Sequence, residues 1–212
     1  MCMPLPMVHF AVADSLVRTM GIEDEGAFYL GSIAPDSVHM RTAYTREDKD
    51  RSHLRIDRVL WKETVLAWIR TQQKAPQRDF RLGYGIHILT DYFWKERVYL
   101  SYAQRYRQDP DPAEDIRAAY YTDADQLDFV LYKIWPRCAA VWDALYAASA
   151  AGIEGLVSAW EVEAWKQRTL SWFDEGKSLH ATPARYLRFE EITDFVQASS
   201  AWIADVLELP AG

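Results

Sequence analysis

Cysteine is scarce in this chain of 212 residues: Cys2 and Cys138 are the two present, and neither belongs to a CxxC or zinc-finger spacing. That excludes a disulfide framework and a thiolate metal site, and makes reduced thiols in a cytoplasm the simplest reading. Long apolar runs are missing too. None approaches the roughly 18–20 residues that cross a bilayer, so no transmembrane segment is expected. The run from Met1 to His9 has no positively charged start, no long apolar core and no small-residue cleavage site, and no leader is expected. Basic charge is outweighed, with 24 Lys and Arg against 31 Asp and Glu and a formal net charge of −7. A general nucleic-acid binder usually shows a basic face, so nucleic acid is not expected as a stable partner. Period-two strand patterns, internal repeats and low-complexity segments are also absent.

What is present is helical periodicity in a chain that is half hydrophobic. His9, Val12, Ala13, Leu16, Val17 and Met20 follow the spacing of one helix face, with Gly21 placed to end the helix. A second helix is predicted over about 56–73, with Val59, Leu60, Leu66 and Ile69 as its apolar stripe, and a third over about 79–107. Prolines and acidic residues between Asp109 and Asp115 read as an inter-helix loop. Further helical patterns cover about 113–149, 153–175 and 188–208. The expected fold is one all-α domain, a multi-helix bundle spanning residues 1–212.

Against this bland background the histidines are unevenly placed. Four of five, His9, His39, His53 and His87, fall in the first 87 residues. His9, His53 and His87 sit beside apolar or small neighbours rather than in charged loops. His87 and Asp91 form an HxxxD pair, one turn apart on a largely apolar helix, where a divalent metal would offset the burial of the carboxylate. A histidine satisfied by an aspartate in an ordinary core is the competing reading. Gly83 and Gly85 on the same helix would let another element approach closely. Asp36 follows Pro35 directly, so the proline is expected to stop the preceding element and present the carboxylate at its end; a turn or helix cap is the alternative role.

His9, the run Leu30 to Asp36, the run Lys49 to Leu54 and the run Leu82 to Asp91, taken in that order, resemble the zinc-dependent phospholipase C family, whose fold is shared with single-strand-specific zinc nucleases. The resemblance covers roughly residues 7–95. It implies that Asp36, His53, His87 and Asp91 hold one metal, with Asp91 bridging to a second metal that His9 also binds, and that Asp36 doubles as a proton acceptor. The family's third metal needs a further histidine and then an HxxxE or HxxxD pair downstream of the first HxxxD. Here His180 is the one later histidine and has no carboxylate four residues on. One or two ions are therefore expected, with Asp123 or Asp128 as substitutes for missing ligands.

The implied function is a metal-dependent phosphoester hydrolase acting on a small-molecule or lipid phosphoester, with zinc as the first choice and iron, manganese or nickel also suited to such ligands. The alternatives are a phosphatase or nucleotide phosphohydrolase, and a metal-stabilised helical protein without turnover. Arg41, Arg46, Lys49, Arg51 and Arg55 could hold a phosphate near the metal, but Glu47, Asp48 and Asp50 are interleaved and favour plain solvated surface. Most of the nine tryptophans fall at core spacing. Tyr84, Tyr92 and Trp94 flank the HxxxD pair and are the aromatic candidates for substrate contact.

Overall fold

The structure, a computed structural model, describes residues 4–112, 115–174 and 183–209. Helix α1 (Pro6–Leu16) has its proline in the first turn, where no intrahelical N–H is lost. The open N–H of Met7 is taken by Oδ1 of Asp128 at 3.1 Å, from a helix 121 positions further on. Helix α2 (Glu25–Gly31) is capped by the Asp24 side chain, which accepts from the Ala27 N–H. A 3-10 helix, Ala34–Met40, follows, and then α3 (Arg46–Ser52), held by a reciprocal capping box between Thr45 and Asp48. Pro35 thus opens the 3-10 turn rather than closing the helix before it, and Asp36 lies in that first turn.

Helix α4 (Trp61–Gln72) starts later than the apolar pattern predicted. Asp57 accepts the N–H groups of Val59 and Leu60, a local turn that competes with helix. As a result Ile56 and Val59, each 87% exposed, and Leu60, 53% exposed, stand in solvent, while Trp61, Val65, Leu66 and Ile69 form the buried stripe. Helix α5 (Arg78–Trp94) runs through a π segment, Lys95–Tyr99, into α6 (Leu100–Gln108). The pattern over 113–149 resolves into α7 (Ile116–Ile134) and α8 (Cys138–Ala147). Trp135 is extended ahead of Pro136, as a residue before proline prefers. Helix α9 (Ala159–Asp174) begins only after a bridge between Ile153 and Val157, and α10 (Phe189–Val206) closes the described fold. The described residues are all-helical around one hydrophobic cluster, and no helix among them is long and apolar enough to cross a membrane.

Two glycines set the closest helix contact. A Cβ at Gly83 of α5 would overlap the Phe28 carbonyl oxygen of α2, and one at Gly31 of α2 would overlap the Phe80 carbonyl of α5. The backbones of α2 and α5 therefore touch, which no side chain larger than hydrogen permits. Gly85 makes the same allowance for the Ile69 side chain of α4.

Candidate metal centre

Five side chains from four segments converge in the space this packing leaves. His9 comes from α1, Asp36 from the 3-10 helix, His53 from the end of α3, and His87 and Asp91 from α5. Asp91 is the middle of the group and is fully buried. Its Oδ1 lies 3.6 Å from His9 Nε2, and its Oδ2 lies 3.4 Å from His53 Nε2 and 3.7 Å from His87 Nε2. Asp36 Oδ1 lies 3.4 Å from His53 Nε2. The rings of His9 and His87 stack with centroids 3.9 Å apart.

The orientation of the imidazoles is set from behind. Nδ1 of His87 is 2.8 Å from the Ser32 carbonyl, and Nδ1 of His53 is 2.9 Å from the Lys49 carbonyl. A carbonyl can only accept, so each Nδ1 carries the proton and each Nε2 offers a lone pair to the centre. The close approach of α2 to α5 is what brings the Ser32 carbonyl within reach. Such backing fixes the tautomer that a metal-binding histidine needs.

In front, the polar atoms have no partners. Nε2 of His9, His53 and His87 and both oxygens of Asp91 are buried without a hydrogen bond. Folded proteins pair nearly all buried polar atoms, because each unpaired one costs about 1–3 kcal/mol. Five unpaired atoms gathered around Asp91 match the donor set of divalent cation binding. Two ligand triads lie within bonding reach of a common ion, His9 with His87 and Asp91, and Asp36 with His53 and His87. These buried His and Asp groups can therefore hold a metal ion.

Electrostatics point the same way. Burial holds His9 down at about 3, and pushes His53 and His87 below the ordinary imidazole value, so all three are neutral and ligand-ready at pH 7. Burial, aided by the charge of Asp36, raises Asp91 well above the usual carboxylate range. For Asp36, burial also pushes upward, but Lys49 and His53 outweigh it and hold the carboxyl well below its usual value. Lys49 Nζ sits 3.1 Å from Asp36 Oδ1. One consequence is measurable in protein stripped with a chelator. As pH falls through about 6.5 the unfolded chain protonates its histidines more readily than the folded chain, whose three buried imidazoles are held below the ordinary value, so these groups withdraw stability as pH falls. Asp91, with a raised value, works in the opposite direction, so the profile is read in the chelated Asp91→Asn protein, which lacks that group. The melting temperature should drop between pH 7.5 and pH 5.5, and a flat or rising profile would contradict neutral burial of these imidazoles.

Other expectations are corrected. Asp123 accepts backbone N–H groups of Arg185, Tyr186 and Leu187, and Asp128 caps α1, so both carboxylates are committed to backbone rather than to the centre. Tyr84, Tyr92 and Trp94 do not line the cavity beside Asp36. Tyr84 and Trp94 are buried in the core, and Tyr92 stacks on Trp202. That cavity, about 320 Å³, is walled instead by residues including Lys49, Tyr121, Trp165 and Arg168. His39, not singled out as a ligand, reaches 3.7 Å from Asp36 Oδ1 and 3.3 Å from Lys49 Nζ. Lys49 stands four residues before His53, a helical spacing that could have tied it to the centre. His180 and Cys2 lie outside the described residues. A cleft of about 810 Å³ between the start of α5 and the end of α8 contains none of the five converging residues.

Comparison with family models, curated proteins and solved structures finds no match to this chain. Fold and centre define its class from its own residues: an all-helical protein with a buried histidine and aspartate cluster able to hold a metal ion.

Proposed function

We propose that the protein is a metal-dependent phosphoester hydrolase with zinc as its ion, similar in its ligand order to zinc-dependent phospholipase C. The observation that carries the reading is Asp91, buried, unpaired, with one oxygen toward His9 and the other toward His53 and His87. That split suits a carboxylate shared by two ions, one in reach of His9 and one in reach of Asp36, His53 and His87. A divalent ion held there would lower the pKa of a coordinated water toward neutrality and draw charge from a phosphoryl oxygen.

The chain's own groups supply the rest. Asp36 is anionic at neutral pH and opens onto the cavity, which makes it a ligand and the acceptor for the proton leaving the attacking water. Lys49 fixes Asp36 and presents an ammonium to the same space, where a phosphate oxygen would sit. The imidazoles of His53 and His87, backed by carbonyls, hold their lone pairs inward without a reorganisation cost.

The test is metal analysis of protein purified without an affinity tag, followed by assay on phospholipid, nucleotide and aryl phosphoesters. Chelation should lower the melting temperature and zinc should restore it. A Lys49→Ala protein should keep its metal and lose activity, by about tenfold to a hundredfold. Turnover of a soluble phosphomonoester but no phospholipid would favour a phosphatase or nucleotide phosphohydrolase. A metal-loaded protein that hydrolyses none of the panel would leave a metal-stabilised protein without turnover.

A further inference from the structure

A second cleft, of about 640 Å³, is lined by six cationic side chains, Arg46, Lys49, Arg55, Arg58, Lys95 and Arg117. Among the described residues no carboxylate lines it. The mixed-charge stretch around Lys49 is therefore not uniform surface: Arg41 turns away to Glu161 and Asp48, while Arg46, Lys49 and Arg55 line the cleft. Carboxylates outside the lining neutralise part of this charge. Asp36 pairs with Lys49, Asp50 with Arg46 and Arg55, and Glu96 with Lys95. Among the described residues the lining cations outnumber these paired carboxylates six to three, in a chain whose net charge is −7. Like charges crowded this way repel, and a bound anion removes the repulsion. Lys49 and Arg117 line both this cleft and the cavity that reaches Asp36, so the two spaces meet at those residues.

We propose that the cleft binds a second anionic, phosphate-type group of the same ligand whose scissile phosphate meets the metal centre. The substrate is then a multiply charged phosphoester, a deduction that presupposes the phosphoester chemistry proposed above. Guanidinium groups suit this role because their paired donors match phosphate oxygens. Such a group has two sources, a free phosphoester or a lipid headgroup. The exposed Ile56 and Val59, which flank Arg55 and Arg58 in the chain, offer a way to tell them apart.

The experiment uses the isolated protein and two probes. Calorimetry follows binding of myo-inositol hexakissulfate, a soluble polyanion, at low and moderate salt, in wild type and in an Arg58→Ala, Lys95→Ala double variant. Sedimentation follows binding to vesicles of phosphatidylglycerol and phosphatidylcholine, in wild type and in an Ile56→Ser, Val59→Ser variant. Wild type should bind a polyanion with affinity that falls steeply as salt rises. The double variant should bind at least about tenfold more weakly with metal content and melting temperature unchanged, since neither residue touches the metal centre. Soluble binding that survives the Ile56 and Val59 changes assigns the cleft to a free phosphoester. Vesicle binding that those changes abolish, with weak soluble binding, assigns it to a headgroup. Either result sustains the second anionic subsite. No binding of either probe at low salt, or equal binding by the Arg58 and Lys95 variant, overturns it. Failure of the phosphoesterase reading looks different: the polyanion still binds, in a protein that holds no metal and hydrolyses nothing.

Discussion

Replacing Asp91 with asparagine should raise the melting temperature of the metal-free protein and abolish its metal binding. The two effects have one cause. Without an ion, both carboxylate oxygens are buried with no hydrogen bond, and burial raises the group's pKa well above the usual range. Removing an unpaired buried ionisable group and supplying an amide donor to a neighbouring imidazole Nε2 is worth about 1–3 kcal/mol. With an ion present, the same change deletes the anion that faces all three imidazoles. Thermal melts with and without chelator, beside metal analysis, would show the crossing. A metal-free Asp91→Asn protein less stable than metal-free wild type would mean that Asp91 is satisfied by the protein itself, as in an ordinary core.

Gly83→Ala should destabilise the protein by about 3 kcal/mol, because its new methyl group has nowhere to go but into the Phe28 carbonyl. Helices α2 and α5 must separate, and for a chain of this size the melting temperature should fall by roughly 6–12 °C. The separation also draws the Ser32 carbonyl from His87 Nδ1, so metal affinity should fall even in the fraction that folds. Gly85→Ala is the control for helix packing away from α2, since its methyl group meets the buried Ile69 side chain of α4 rather than the α2 backbone. If Gly83→Ala leaves both stability and metal binding unchanged, the backbone contact is not what positions the centre.

The sequence is most informative where chemistry and periodicity coincide. HxxxD on α5 is legible because one helical turn places both groups on a face, and the glycines around it announce a close neighbour. His9 is legible because it falls on the inward stripe of α1. The short elements are not legible. Helices α2 and α3 have seven residues each, too few for a 3.6-residue period to stand out, and their caps at Asp24 and Thr45 carry the information instead. Val59 and Leu60 mislead for a different reason: their apolar character fits a helix stripe, yet the Asp57 side chain captures their N–H groups first. Nor could linear order reveal that α1 is capped from α7, a contact that depends on tertiary packing alone.

That cap also bears on the order of assembly during synthesis. Met7, two residues before His9, is anchored by Asp128, which lies 121 positions downstream of it. A nascent chain that has emerged only through α6 already possesses His53, His87 and Asp91, but nothing yet pins the amino-terminal helix from its open end. Until α7 is present, the helix that carries His9 therefore lacks the carboxylate that takes up its Met7 N–H.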